Sequence, residues 1–179
     1  MARATFRDLG VWGTIEFTQV SPSDPVRTCI DLHDLRGEAG GFHVHELPVP
    51  QEARASGEAC SATGGHFNPF NVDAKLGPAA GEGSDDEYEV GDLSGKYGGL
   101  VDRETIMECF TDTNLSLFGE NSIVDRSVVI HKSPGGDRWV CANIELVEDE
   151  EEGSGGGGVD EEGREIDSRL SAIVVKSDH

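Results

Sequence analysis

The chain has 179 residues, of which 36% are hydrophobic, with 24 glycines, 7 prolines and a formal net charge of −21. This length suits one domain with a buried core, and the glycine and proline content predicts many turns. The negative charge argues against nucleic acid and anionic membrane as partners, and the chain has no run of about 18 apolar residues that would span a membrane.

Short runs of alternating or β-branched residues follow one another as far as residue 147, separated by glycine, proline and aspartate clusters. The first run, at residues 3–9, predicts a weak strand. Stronger strands are predicted at residues 11–20, 26–35, 41–46, 103–111, 115–118, 126–131 and 139–147. Two long loops, 47–65 and 67–98, lie between them, and no amphipathic helix of useful length is predicted. About eight strands with this spacing favour an all-β fold, an immunoglobulin-like Greek-key β-barrel or sandwich with long loops.

The composition changes abruptly after Val147. Residues 148–163 are rich in glycine and carry eight acids and no base. Such a segment cannot bury enough apolar area to offset its ordering entropy, which predicts a disordered linker. Residues 164–179 regain apolar side chains, and either add a strand or begin a neighbouring domain. We therefore expect one domain at residues 1–147, followed by the linker and a C-terminal tail.

The four cysteines are Cys29, Cys60, Cys109 and Cys141, which are too far apart for a zinc ribbon or a C-x-x-C redox site. An even number suits two disulfides, for which three pairings are possible. One glycosylation sequon, at residues 114–116, fits a secretory route. Together these features predict an extracellular, secreted protein.

Two histidines occupy alternate positions of a short predicted strand. His43 and His45 should point to one face of this strand, while Phe42 and Val44 point to the other. Two imidazoles on one rigid strand form half of a metal site.

Two further histidines complete the candidate site. His66 lies in a glycine- and proline-rich loop, and His131 ends an apolar run. Together with the strand pair they predict an imidazole site for copper or zinc. The alternative is that each is an ordinary surface or capped residue, as we expect for His33 and His179.

Five short segments resemble the copper/zinc superoxide dismutases and occur in that family's order, across about residues 10–147. They are GFHVHE at 41–46, Cys60 with HFNP at 66–69, VGDL at 90–93, SVVIH at 127–131, and Arg138 with Cys141. The resemblance implies that copper is bound by His43, His45, His66 and His131. It also implies that Arg138 binds the superoxide anion and that Cys60 pairs with Cys141. Cys29 and Cys109 then form a second disulfide, or else remain two buried free thiols.

The sequence departs from the zinc-bearing members of this family in two places. No histidine occurs between Phe67 and Asp92, where the family has further zinc ligands, and only Asp92 of that set remains. One carboxylate cannot form a closed zinc site. Six residues separate His131 from Arg138, where the family has a long charged loop. Both features resemble the copper-only superoxide dismutases, which are secreted fungal enzymes or domains of animal repeat proteins. The acidic tail favours the repeat origin, with neighbouring homologous domains as partners.

The resemblance implies that one copper, cycling between Cu(I) and Cu(II) without zinc, dismutes superoxide. Without zinc, the far nitrogen of His66 needs another partner, because ligating histidines are usually oriented by an acceptor. We expect Glu89 to accept this N–H and to help deliver a proton. Asp92 is expected to tie its loop to backbone amides. Two other functions remain open: an extracellular copper-binding or structural module with little activity, and a zinc-binding adhesion module.

Overall fold

The structure, a computed structural model, describes residues 1–54 and 59–147, which belong to one compact unit, Met1–Val147. Seven strands form one antiparallel sheet in the order β4-β6-β7-β1-β2-β3-β5. Their bounds are β1 Ala2–Asp8, β2 Val11–Thr18, β3 Val26–His33, β4 Ala39–His45, β5 Thr105–Asp112, β6 Ser127–Lys132 and β7 Arg138–Leu146. The predicted all-β class is confirmed. The Greek-key connection and the immunoglobulin-like detail stay predictions. The division into a domain, a linker and a tail also stays a prediction, because residues 148–179 lie outside the described residues.

The long loops that the sequence predicts contain short helical turns. These are α1 (Gln51–Arg54), α2 (Leu93–Tyr97) and two 3-10 turns at Ala59–Thr63 and Asp85–Glu87. Among the described residues, no helix has the length and apolar character needed to cross a membrane.

The strand predicted at residues 115–118 is wrong, because this segment forms a loop. Its backbone N–H groups donate to side chains instead of to a neighbouring strand. The N–H of Leu115 donates to Oδ1 of Asp112, and the N–H of Leu117 donates to Oε1 of Gln19, each at 2.7 Å. The apolar alternation of the segment reflects the burial of Leu115 and Leu117 in the hydrophobic core rather than strand pairing.

The two faces of β4 and β6 have different roles because side chains alternate along a strand. Phe42, Val44 and Ile130 point into the main hydrophobic core, where each is at most 1% exposed. His43 and His45 point to the opposite face, and His43 lies across from Val129 on β6. The rigid part of the sheet therefore presents two histidines side by side, outside the core.

A change of register directs a side chain of β7 to the face of the sheet that carries the histidines. Ile130 pairs with Val140, but the next pair along the two strands is His131 with Arg138, so β7 contains one extra residue. An extra residue of this kind turns the following side chain to the other face of the sheet. Arg138 is thereby directed to the face that carries the histidines.

Two disulfides join distant parts of the chain, namely Cys29–Cys109 and Cys60–Cys141. The first links β3 to β5, where the two cysteines lie directly opposite each other. The second links the turn before His66 to β7. No free cysteine remains among the described residues, so the alternative of two free thiols is wrong.

Candidate metal centre

Four imidazole rings converge on the outer face of β4 and β6. His43, His45, His66 and His131 each offer one nitrogen, and these four atoms lie within 4.8 Å of one another. Nε2 of His45 is 3.3 Å from Nε2 of His131, and the ring centroids of His43 and His66 are 3.9 Å apart. Two strands and one loop therefore bring together four ligand atoms from positions up to 88 residues apart, with no acid among the converging atoms.

The outer nitrogens of two of these rings are held by oxygen acceptors. Nδ1 of His66 lies 2.7 Å from Oε2 of Glu89, and Nδ1 of His131 lies 2.7 Å from the carbonyl oxygen of Gly136. A carbonyl or carboxylate oxygen can only accept here, so the proton resides on Nδ1 in both rings. The lone pair of Nε2 then remains for a metal.

His45 is oriented in the same way by the loop that precedes His66. Its Nδ1 lies 3.1 Å from the carbonyl oxygen of Gly64 and 3.2 Å from Oγ1 of Thr63, a fully buried residue. The hydroxyl of Thr63 in turn donates to the carbonyl oxygen of Cys60 at 2.9 Å. The disulfide-linked turn therefore determines which nitrogen of His45 faces the centre.

Arg138 lies against the same turn and close to the rings. Its guanidinium donates to the carbonyl oxygens of Cys60 and Ser61 at 2.7 and 3.0 Å, and also to the carbonyl oxygen of Gly64. Its positive charge contributes to the lowered pKa values of His45 and His131, as expected for a charge beside the four rings.

His43 differs from the other three rings. Its Nδ1 is buried and has no hydrogen-bond partner among the described residues, while its Nε2 is 3.5 Å from Oδ1 of Asp92. A buried polar atom without a partner is costly unless something else binds it. Nδ1 of His43 is therefore the atom of this site that most clearly requires a ligand.

Three of the four rings are kept neutral by their surroundings. Burial, and after it the neighbouring histidine rings, lowers the pKa of His43 from 6.5 to about 2. Burial also lowers the pKa of His45 to about 4, although the hydrogen bond that its ring donates to the carbonyl oxygen of Gly64 acts in the opposite direction, and burial lowers the pKa of His131. At neutral pH a lowered pKa keeps these three imidazoles neutral, with one proton each, which is the state that binds a metal.

A closed set of three backbone hydrogen bonds joins the segments that carry the site. The N–H of Val44 donates to the oxygen of Gly91, the N–H of Gly91 to that of Phe67, and the N–H of Phe67 to that of Val44, each at 2.8 Å. Val44 lies between His43 and His45, Phe67 follows His66, and Gly91 lies between Val90 and Asp92. We call this set the backbone triangle; it fixes β4, the His66 loop and the Glu89–Asp92 segment relative to one another.

Asp92 begins helix α2. Its Oδ1 accepts a hydrogen bond from the N–H of Gly95 at 2.7 Å, so the side chain caps the helix while it faces His43. Ser94, in the first turn of α2, bonds through Oγ to both the N–H and the carbonyl oxygen of Phe42 at 2.5 and 3.0 Å. Helix α2 is thereby tied to β4 next to the first histidine.

These residues fit a copper ion. Imidazole nitrogen suits both oxidation states of copper. Four rings supply one nitrogen each, and the outer nitrogens of three rings are bound to oxygen. Nδ1 of the fourth is buried with no partner in the part of the chain that the structure describes. The structure thus brings together the four predicted ligands with Glu89, Asp92 and Arg138, while their roles in binding and catalysis stay predictions.

Sequence reasoning missed several residues that shape the site. Thr63, Gly64 and Gly136 orient histidine rings, the latter two through backbone carbonyl oxygens. A carbonyl oxygen belongs to every residue type, so it leaves no pattern in the sequence. His33, expected to be an ordinary surface residue, lies apart from the cluster and bonds to Asp31 at 2.7 Å. His179 lies outside the described residues.

Residues 11–157 match the family "Copper/zinc superoxide dismutase (SODC)". The chain is 38% identical over 142 residues to the cell surface Cu-only superoxide dismutase 5 of Candida albicans, which covers 76% of this chain and 56% of that relative. It is 35% identical over 122 residues to superoxide dismutase (Cu-Zn) 5 of Dictyostelium discoideum, which covers 68% of this chain and 71% of that relative.

A solved structure of Candida albicans superoxide dismutase 5 with Cu(II) is similar to this fold, with a TM-score of 0.68 and 33% sequence identity. The match covers 89% of this chain and 97% of that one. The chain spans a little over half of the length of two of the cell-surface Candida albicans relatives that it matches, and 42% of the length of another. By its sequence and its fold, the chain belongs to the copper/zinc superoxide dismutase family.

Proposed function

We propose that this domain converts superoxide to dioxygen and hydrogen peroxide at a single copper ion, without zinc. The observation that carries the proposal is the convergence of four imidazole nitrogens within 4.8 Å, together with Nδ1 of His43, which is buried and has no hydrogen-bond partner among residues 1–54 and 59–147. The proposed ligands are His43, His45, His66 and His131. The reaction consumes two superoxide anions and two protons and yields one dioxygen and one hydrogen peroxide.

When bound, copper supplies a centre that accepts one electron from a first superoxide and returns it to a second. The protein's part is to hold the ligand rings in one orientation. Because carbonyl and carboxylate oxygens bond to Nδ1 of His45, His66 and His131, each ring carries a proton on that outer nitrogen and directs Nε2 to the ion. Pre-oriented rings bind the ion without rearrangement of the loops.

Arg138 is the proposed binding group for the anion. Its charge lies beside the histidine cluster, and its contacts with the turn at residues 60–64 fix the guanidinium in one position. A guanidinium has five N–H donors, of which Nε–H has no bonded partner among the described residues. On a chain with net charge −21, this fixed cation offers a local attraction for superoxide.

Replacing Arg138 with glutamate is expected to lower the rate of dismutation severalfold, with a loss that shrinks as salt is added, because screening weakens the attraction of an anion. Pulse radiolysis of the copper-loaded protein, repeated from low to high ionic strength, measures the rate of dismutation and its dependence on salt. Arg27→Glu on β3 is the matched control, since it makes the same change of charge on a strand without a proposed ligand. Rates independent of salt in both wild type and Arg138→Glu would argue against steering by Arg138.

Glu89 is the proposed partner that replaces zinc behind His66. Its Oε2 lies 2.7 Å from Nδ1 of His66, and its Oε1 accepts a hydrogen bond from the side-chain amide of Asn68 at 3.2 Å. The carboxylate is therefore held at both oxygens. We propose that it orients the ring and holds a proton at Nδ1 that contributes to the release of peroxide.

Glu89→Gln is expected to slow turnover about tenfold while the copper site stays filled, because the amide oxygen still accepts from Nδ1 but the negative charge is lost. Glu87→Gln, in the same loop, removes the same charge away from the rings and is expected to have no effect. Mass spectrometry measures the copper content of each variant and pulse radiolysis measures its turnover, so that an effect on catalysis is distinguished from a loss of copper. Unchanged turnover in Glu89→Gln would remove Glu89 from the mechanism.

The absence of zinc is part of the proposal and has two supports. The region that carries zinc ligands in the zinc-bearing relatives contains no histidine between Phe67 and Asp92. The one remaining carboxylate, Asp92, is engaged at the start of α2. Among the described residues, the four-histidine cluster is the one group of three or more potential ligands close enough to share an ion.

The proposed location is extracellular. The structure contains two disulfides, and disulfides persist in compartments where thiols are oxidised. The relatives from Candida albicans are cell-surface proteins by name. We further propose that residues 1–147 form the catalytic domain and that the acidic, glycine-rich segment 148–163 is a linker to neighbouring homologous domains, as in an animal repeat protein. Superoxide is the proposed substrate, with no role for nucleic acid or membrane.

Pulse radiolysis of the copper-loaded protein tests the function directly. The proposal expects second-order loss of superoxide that is proportional to protein concentration and disappears in the metal-free form. Copper bound tightly without this activity would instead favour an extracellular copper-binding or structural module. Zinc retained in preference to copper would favour the zinc-binding adhesion module.

A further inference from the structure

A buried ion pair lies behind the proposed copper site, among residues that the mechanism above does not use. Nζ of Lys96 in α2 is 2.8 Å from Oδ2 of Asp112 at the end of β5, and both side chains are 0% exposed. Removing two charges from water is costly, and a buried pair often stabilises a protein no better than apolar residues would. The pair therefore calls for an explanation other than stability.

Asp112 is held in place from several directions. Its Oδ2 also accepts the hydroxyl of Tyr97 at 2.5 Å, and its Oδ1 accepts the backbone N–H groups of Asn114 and Leu115 at 2.7 Å each. The carboxylate is a fixed anchor at the edge of the sheet, and the ammonium group of Lys96 is fixed against it.

The second contact of Lys96 is directed toward the site. Its Nζ donates to the backbone oxygen of Val90 at 2.9 Å. Val90, which is 1% exposed, lies directly between Glu89 and Gly91. Glu89 bonds to His66, and Gly91 is a corner of the backbone triangle. One buried cation thus binds the short segment that presents the carboxylate to the imidazole.

We propose that Lys96 is a positioning residue of the copper site, which acts by fixing Val90 and thereby the carboxylate of Glu89 against Nδ1 of His66. This inference rests on the proposed copper site. Asp112 neutralises and holds Lys96, so the two residues act as one unit. The pair connects β5, an edge strand of the sheet, to the segment that presents Glu89 to His66.

The informative variant removes both charges at once. Lys96→Met alone leaves the carboxylate of Asp112 without its cation and risks unfolding. Lys96→Met combined with Asp112→Asn leaves no unpaired buried charge, and an asparagine oxygen can still accept from Asn114 and Leu115. The double variant should therefore fold while the donor to Val90 is absent. Ile15→Ala in β2 is the control for a general loss of stability, since Ile15 is fully buried on a strand that carries no proposed ligand.

The first readout needs no metal. Long-range proton–nitrogen correlation spectra of the metal-free protein at about pH 8, where a free imidazole is neutral, report the tautomer of His66. Wild type and Ile15→Ala are expected to show the Nδ1–H form, and the double variant a mixture of both forms. An unchanged His66 tautomer in the double variant would overturn the inference, whether or not the protein proves to be an enzyme.

The second readout is the bound metal. The double variant is expected to weaken copper binding about tenfold and to alter the paramagnetic resonance spectrum of Cu(II), because misplaced outer partners of ligands have effects of this size. Glu89→Ala, which removes the acceptor of His66, should add little further loss of copper affinity when combined with the double variant, since both changes act on one contact. Additive losses would contradict the inference. Failure of the wild type to bind copper would contradict the proposed function instead, and the tautomer measurement would still decide the role of Lys96.

Discussion

Gly91→Ala is expected to destabilise the domain by about 3 kcal/mol and to weaken copper binding at least tenfold. A Cβ atom at this position would lie 2.3 Å from the backbone oxygen of Val44 and 3.1 Å from the backbone nitrogen of Phe67. Both atoms belong to the backbone triangle, so neither can yield as a flexible side chain would. The added methyl group must separate the strand that carries His43 and His45 from the loops behind it.

Chemical denaturation of the metal-free protein, followed by copper titration, measures the two effects. Gly65→Ala is the matched control, because its Cβ would meet nothing closer than 3.6 Å, at a side-chain oxygen of Glu46. This control should remain near wild type in both measurements. If Gly91→Ala matched it, the backbone triangle would not be what holds the site together.

Replacing Cys60 and Cys141 with serine is expected to lower the free energy of unfolding by up to about 4–5 kcal/mol, because the disulfide closes a loop of about 80 residues in the unfolded chain. The same change should lower the affinity for copper, since the carbonyl oxygen of Cys60 accepts hydrogen bonds from Arg138 and from the hydroxyl of Thr63. Thr63 and its neighbour Gly64 orient His45, so loosening this turn disturbs a proposed ligand.

The second disulfide supplies a comparison of the same loop length. Cys29 and Cys109 are 80 residues apart, against 81 for the first pair. Chain entropy alone predicts nearly equal losses of stability when either pair is replaced by serine. Only the Cys60–Cys141 replacement should change copper affinity and the rate of dismutation. Equal effects of both replacements on copper affinity would show that this disulfide has no special role at the site.

Hydrophobic alternation was sufficient to predict most of the sheet. In β3 the buried residues Val26, Thr28, Ile30 and Leu32 alternate with more exposed ones, and this period identifies a strand. The same period put His43 and His45 on one face. This alternation wrongly predicted a strand at residues 115–118, where Gln19 and Asp112 accept the hydrogen bonds that a neighbouring strand would have accepted. Such long-range side-chain partners are not visible in a local pattern.

The candidate site was predictable as far as its side chains have distinctive chemistry. Four histidines, an arginine and two acids stand out in the sequence, and their order resembles that of one family. Two other features depend on the folded backbone alone. One is the register change that turns Arg138 toward the rings, and the other is the position of the backbone oxygens of Gly64 and Gly136. The pairing of Lys96 with Asp112 is of the same kind, because a single lysine in a loop gives no sign that it is buried.

The central claim is that four imidazoles hold one copper ion with no second metal beside it. Refolding the protein with equal amounts of copper and zinc, followed by dialysis and elemental analysis, tests it most directly. We expect one copper per chain, zinc near background, and dismutation that added zinc does not change. A second ion bound near Asp92, or activity that requires zinc, would contradict it.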